Sequence, residues 1–307
     1  MHYTVMKEES IQGLNLKENG VYVDATLGYA GDSSEILKRI KKGFLFAFDQ
    51  DINAINWSNQ KLKEIGDNFL IIQSNFLYMK EELEKRNIKG VDGILFDLGV
   101  SSPQLDDASR GFSYRYDARL DMRMNQTQSL SAFEVVNEYD EKKLCDIIYR
   151  YGEEKYAKNI ARNIVKERSI KKIETTFELV EIIKKSMPYK DRITKHPAKK
   201  TFQAIRIEVN HELDILEDSI RKALSLLNVN GRMVVITFHS LEDKIVKNVF
   251  KDVTSIDKVL QGMPNIPNEY LPDFKIINKD VITPSEKELL ENNRSHSSKM
   301  RIIERVK

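Results

Sequence analysis

The chain has 307 residues, 41% hydrophobic and 31% charged, an ordinary soluble globular composition with length for one or two domains. A single cysteine, Cys145, excludes an internal disulfide and any multi-cysteine metal centre, and the five histidines are dispersed with no metal-ligand spacing. No apolar run is long enough to span a bilayer, and the start MHYTVMKEES has no apolar signal core, so a reduced cytoplasmic protein is expected. The net charge of +2 conceals an asymmetry: residues 106–200 hold 21 Lys and Arg against 16 Asp and Glu. A basic middle in a mildly acidic frame suggests a phosphate-bearing partner.

Val21 to Ala25 reads as a short buried strand, followed by a glycine turn and a helix over about Ser33–Lys42, capped by Asp32 or Ser33. Phe44 to Phe48 is a second strand, ending at Asp49. A helix follows over Ile52–Ile65, then a strand over Phe69–Gln73, a helix from about Lys80 and a fourth strand over Gly93–Asp97. Strands recurring every two dozen residues or so, with helices between, predict a parallel, doubly wound sheet. The alternation then stops. Helices fit Leu130–Glu138, Asp140–Gly152, Glu154–Arg168 and Thr176–Ser186, a Pro- and Lys-rich loop follows, and a long helix fits Thr201–Leu227. Arg232–Phe238 is a fifth strand and Leu241–Phe250 another helix; Lys275–Ile277, a helix from Ser285 and Met300–Val306 close the chain. The expected fold class is α/β: one doubly wound domain of residues 1–105 and 201–307, with a helical insertion over 106–200.

In such a sheet, ligands sit beyond the carboxyl ends of the strands. That edge carries Asp24, the turn from Gly28 to Gly31, Asp49, Ser74–Asn75–Phe76 and Asp97. The turn lacks the G-x-G-x-x-G of a dinucleotide site and the Lys-Ser/Thr of a phosphate loop. Asp49 lies 21 positions beyond Gly28, where an acid accepts both ribose hydroxyls, and Phe76 is placed to lie on an adenine. An adenosine cofactor without a pyrophosphate motif points to S-adenosylmethionine rather than NAD.

The segment D-L-G-V-S-S-P-Q from Asp97 ends an apolar strand with an acid that needs a partner. An exocyclic base amine is one candidate: a carboxylate and a neighbouring carbonyl can orient its nitrogen toward a methyl donor. Asp97, Ser101 and Ser102 are the candidate catalytic residues. Val100 stands where amine methyltransferases carry an aromatic, so stacking has to come from Phe112, Tyr114, Phe238 or His239. Arg110, Arg115, Arg119 and Arg123 interleave with aromatics, and Lys195 sits in a second basic stretch, so Arg110, Phe112, Tyr114, Arg123 and Lys195 are read as RNA contacts. His239 has two readings, an RNA contact or a cap on the helix beginning near Ser240. Cys145, between Leu144 and Ile148 on a helical face, reads as a core residue rather than a nucleophile.

Together these segments resemble the small-subunit ribosomal RNA methyltransferase H family almost end to end. The similarity covers H-Y-T-V-M-K-E-E, V-D-A-T-L-G, F-D-Q-D, D-L-G-V-S-S-P-Q-L-D, L-D-M-R-M, H-P-A-K-K-T-F-Q-A-I-R and F-H-S-L-E-D. It implies a class I, S-adenosylmethionine-dependent methyltransferase acting on the N4 amine of a cytidine in 16S ribosomal RNA. It implies an insertion that helps bind the small subunit, and cofactor contacts at Ala30, Gly31, Asp32, Asp49, Phe76, Asp97 and Gln104, beside Gly28 from the turn. The family usually carries Gly-Gly-His where this chain has Ala30-Gly31-Asp32, which puts an acid near the cofactor's methionine end, where it could meet the amino group or repel the carboxylate. Two rivals remain: a non-catalytic small-subunit assembly factor, and an amine methyltransferase acting on DNA. The sequence does not decide between monomer and homodimer.

Overall fold

The computed structural model describes residues 4–194, 196–257, 260 and 265–307. The chain forms two compact units, residues 1–99 with 213–307, and residues 100–212. The second unit begins six positions earlier and ends twelve later than the expected 106–200.

The first part of unit one runs α1 (Lys7–Leu14), β1 (Val21–Asp24), α2 (Gly31–Arg39), β2 (Phe44–Asp49), α3 (Ile52–Lys63), β3 (Phe69–Gln73), α4 (Met79–Glu84) and β4 (Val91–Asp97). The second unit contains α5 (Ser102–Asp106), α6 (Ala132–Glu138), α7 (Glu141–Gly152), α8 (Ala157–Arg168), α9 (Thr176–Lys185), α10 (Tyr189–Thr194) and α11 (Lys199–Asn210). The chain returns to unit one with α12 (Leu216–Leu224), β5 (Leu227–Thr237), α13 (Ser240–Thr254), β6 (Phe274–Ile276), α14 (Glu286–Glu291) and β7 (Lys299–Arg305).

The seven strands form one sheet in the order β3-β2-β1-β4-β5-β7-β6. The first five pair in parallel, whereas β7 runs antiparallel between β5 and β6. The order reverses between β1 and β4, so the carboxyl ends of those two strands flank the topological switch point, where ligands of open α/β sheets bind. Alternation along each strand feeds two cores. Val23, Phe46, Ile94, Phe96 and Val235 pack on one face with α4, α12 and α13. Tyr22, Leu45, Leu95, Val234 and Ile236 pack on the other with α1 and α2. Five additional residues lengthen β5 at its start. They create a bulge opposite Val91–Gly93, where Asn230 adopts a positive φ.

The long helix expected over Thr201–Leu227 is two helices. His211 takes a left-handed conformation (φ 52°) and its N–H caps α11. Asn210 meanwhile accepts from Met124 N at 2.8 Å and donates to Met122 O at 2.8 Å, so its amide holds a loop. Polar side chains at a helix end tolerate this geometry. The core of the second unit is helical: Leu144 and Ile148 of α7, Ile160 and Ile164 of α8, and Leu179 and Ile183 of α9 are fully buried. Cys145, expected in the core, is half-buried and packs against them.

Candidate active site

The site is built from the strand ends at the switch point. Asp24, at the end of β1, is 1% exposed. Its Oδ2 accepts from Ser33 Oγ at 2.6 Å and its Oδ1 from Thr26 N at 3.1 Å. Burial pushes its pKa up against those donors. Thr26 ties β1 to β4, its hydroxyl accepting from Asp97 N at 2.7 Å.

The turn after β1 is bent by Gly28 (φ 47°) and Ala30 (φ 55°), the latter fully buried at the start of α2. Gly28 N donates to Asp49 Oδ2 at 2.8 Å. Asp49 Oδ1 accepts from Asp51 N at 2.8 Å. A carboxylate offers about four acceptor positions, and with the Gln50 N–H also acting on it capacity remains for a ligand hydroxyl. Burial raises the Asp49 pKa to about 6, opposed by these backbone donors. Gly31 has no room for a side chain, since a Cβ there would lie 2.0 Å from Thr4 Oγ1. The segment before α1 is therefore pressed onto the turn, and Met6 N, at a positive φ, is held by Glu288 Oε1 of α14 at 2.9 Å.

Two carboxylates at this edge are incomplete. Asp32, in the first turn of α2, is 6% exposed, and its Oδ1 has no hydrogen-bond partner. Burial drives its pKa well up, reinforced by the charges of Asp97 and Asp24 and opposed by Lys7 and its own backbone N–H. Asp97 ends β4 with a buried Oδ1 that likewise has no partner. Burial, then Asp24, Glu242 and Glu288, raise its pKa to about 8. A buried acceptor without a donor is costly, and a cationic or amine-bearing ligand supplies donors to both.

Phe76 follows β3 in a short 3-10 turn that Asn75 caps, its Oδ1 accepting from Leu77 N at 2.8 Å. Its ring meets Phe96 edge-on at 5.5 Å, which fixes its orientation. Past β5, His239 serves as the N-cap of α13. Its Nδ1 accepts from Glu242 N at 3.4 Å, while Nε2 is buried without a hydrogen bond, 3.1 Å from Glu242 Oε1. Of its two readings the structure supports the cap. Glu242 Oε2 accepts from His239 N at 3.3 Å, which completes a capping box, and also from Phe238 N at 2.8 Å.

In the second unit the local geometry alters several expected roles. Ser101 Oγ caps α5 by accepting from Gln104 N at 3.4 Å, while Gln104 Oε1 accepts from Ser101 N at 3.0 Å. Ser101 and Gln104 therefore form a capping box, and Ser102 is the first residue of the helix. Arg110, expected on RNA, is 4% exposed and donates to Arg123 O at 2.8 Å. Arg123 forks onto Asp121, with bonds of 2.9 and 2.7 Å, and donates to Gln128 O at 2.8 Å. Phe112 is 5% exposed in the core. These three residues hold a loop together; Arg110 and Phe112 are buried, and Arg123 keeps about a quarter of its side chain exposed. Tyr114 differs: it stacks on His196 at 4.0 Å and 19° and meets Phe202 edge-on. Burial lowers the His196 pKa, as do the charges of Lys184 and Arg115. Lys195 lies outside the described residues.

Sequence reasoning missed Thr26, Glu242, Glu288 and the Tyr114–His196 stack. Only Glu242 carried a local signal, the capping-box spacing from His239. Among the described residues, no cluster of His, Cys, Asp or Glu could hold a metal, and no helix is long and apolar enough to cross a membrane.

Comparison with known proteins gives this geometry a lineage. The model of the MraW methylase family matches residues 1–306. The chain belongs to the MraW methylase family. It is 54% identical to the ribosomal RNA small subunit methyltransferase H of Exiguobacterium sibiricum, over 100% of this chain and 98% of that protein. The protein of the same name from Lactobacillus delbrueckii subsp. bulgaricus is 52% identical, covering 99% of each chain. Another, from Limosilactobacillus fermentum, is 52% identical over 100% of this chain and 98% of that protein. Among solved structures, an rRNA methylase from Streptococcus thermophilus superposes with a TM-score of 0.46 at 11% identity, over 100% of this chain and 99% of that one. Sheet order and family together make the first unit a class I methyltransferase domain.

Proposed function

We propose that this chain transfers a methyl group from S-adenosylmethionine to the exocyclic N4 amine of a cytidine in the 16S RNA of the small ribosomal subunit. The observation that carries the reading is Asp97: a carboxylate at the carboxyl end of β4 whose buried Oδ1 has no donor, in a chain of this family.

When bound, S-adenosylmethionine supplies an electrophilic methyl group. The residues of the first unit fit it. Asp49 has acceptor capacity for a ribose hydroxyl, and Gly28 holds that carboxylate in place. Phe76 offers a ring fixed by Phe96 to the adenine. Asp32 and Asp24 give an acidic surface that suits the cationic end of the cofactor.

A cytidine amine is a poor nucleophile because its lone pair is delocalised into the ring. Asp97 accepts an N–H from that amine, which polarises the nitrogen and fixes its direction. Positioning and electrostatics then lower the barrier. The Ser101 hydroxyl is engaged in capping α5 and takes no part in this role. For RNA, the Tyr114–His196 stack with Arg115 and Lys184 combines aromatic faces with positive charge, which suits unpaired bases and phosphates. Arg110, Phe112 and Arg123 act by holding the adjoining loop.

The test is label transfer from radioactive S-adenosylmethionine to small subunits from a strain lacking the family enzyme, with naked ribosomal RNA and DNA alongside. Label on a subunit cytidine, lost in Asp97→Ala with the fold retained, is the expected result. Full transfer by Asp97→Ala would remove Asp97 from the mechanism. Intact subunit binding with no transfer would favour an assembly factor.

A further inference from the structure

Asp24, Asp32 and Asp97 bring three carboxylates to one sheet edge from β1, α2 and β4. They act on one another: Asp97 and Asp24 both repel charge on Asp32, and Asp24 repels charge on Asp97. Asp24 is satisfied by Thr26 and Ser33. The other two are not, since Oδ1 of Asp32 and Oδ1 of Asp97 are buried and accept from nothing, and Asp32 is 6% exposed.

The surroundings add more acid than base. Glu242 of α13 and Glu288 of α14 act on Asp97, and Glu9 of α1 acts on Glu288 in turn. Among the described residues, Lys7 of α1 sets a positive charge against Asp32. Buried carboxylates with so little compensating charge do not all ionise near neutral pH.

Resting on the cofactor reading above, we propose that this cluster works as a proton buffer for the transfer reaction. It holds a proton in the cofactor-free protein, gives that proton up when the cationic cofactor enters, and takes one back from the amine at transfer.

The charges balance. Methyl transfer breaks the carbon–sulfur bond, the electron pair stays on sulfur, and the sulfonium becomes a neutral thioether. The new carbon–nitrogen bond uses the amine lone pair, and the nitrogen sheds one proton to end neutral. The positive charge lost from sulfur reappears as the proton arriving on the carboxylates. Net charge in the buried site then stays constant through binding and transfer, which avoids the cost of leaving an uncompensated charge there. Asp32, an acid where the family usually carries His, extends the pair Asp24–Asp97 into this cluster.

The test counts protons and needs no turnover. Titration calorimetry at one pH near 7.5, in buffers of different ionisation enthalpy, gives the protons released when S-adenosylmethionine binds and when S-adenosylhomocysteine binds. The two ligands differ by the sulfonium charge. S-adenosylmethionine is expected to release more, by up to about one proton, because the ligand brings one more charge to groups poised to titrate. Asp32→Asn, an isosteric change, is expected to bind both ligands with that excess at least halved. Binding of both with equal proton counts would overturn the proposal. A full excess retained in Asp32→Asn would overturn the part given to Asp32. Binding of neither would overturn the cofactor reading as well, and is distinguishable from binding without the excess.

Discussion

Replacing Asp97 by Asn should stabilise the cofactor-free protein, and by more as the pH rises. The carboxyl pKa moves from 3.8 to about 8 on folding, first through burial and then through Asp24, Glu242 and Glu288. Between those values the folded chain holds a proton that the unfolded chain has lost, so stability falls as pH rises. The stabilising contribution is complete below the unfolded value and is lost by the time the pH passes the folded one. Each pH unit in that window is worth about 1.4 kcal/mol. Three units, from pH 5 to pH 8, set an upper bound of about 4 kcal/mol. Coupling to Asp32 spreads the titration and brings the expected gain to about 2–4 kcal/mol. Asn has no proton to lose, so its curve lacks that slope. Urea unfolding at pH 5, 6, 7 and 8, without cofactor, reads the difference directly. A difference that stays constant across that range would mean that the surroundings do not hold Asp97 protonated.

Other predictions follow from single contacts. Gly111→Ala would put a Cβ 2.3 Å from Arg119 O at a φ of 66°. It should cost upward of about 2 kcal/mol, read as a lower thermal midpoint. Arg110→Ala removes the bond to Arg123 O from a buried guanidinium. It should destabilise by about 1–3 kcal/mol in denaturant while leaving the salt dependence of RNA binding unchanged. The double variant Arg115→Ala, Lys184→Ala should do the reverse, flattening the plot of log affinity against log salt by about 1–2 with stability retained. Asp49→Asn keeps one acceptor oxygen and should weaken S-adenosylmethionine binding about tenfold by calorimetry, consistent with loss of a charge-assisted hydrogen bond.

The strands, their order of appearance and the acids that end them were legible in the sequence, because apolar runs and strand-terminal Asp residues are local signals. Local signal also placed Cys145 in a helical core and His239 as a candidate cap. It was weaker for α1 and α10, whose short polar segments show little periodicity, and for the break at His211, which depends on Asn210 being engaged by Met122 and Met124. The clearest divergence is the arginine–aromatic stretch. Arg110, Phe112 and Arg123 have the composition of an RNA-binding loop, yet their donors and ring are used within the second unit. Composition is the same whether a guanidinium faces solvent or a neighbouring carbonyl, so only the tertiary structure separates the two. The same holds at the sheet edge. Residue order alone puts Asp24, Asp32 and Asp97 near the strand ends. Folding decided that Thr26, 71 positions away, would take the Asp97 N–H, and that Ser33 would satisfy Asp24. It also decided that an oxygen of Asp32 and one of Asp97 would be buried with no donor. Hydrogen-bond satisfaction depends on partners distant in the chain, and a burial penalty exists only once the surrounding atoms have excluded water.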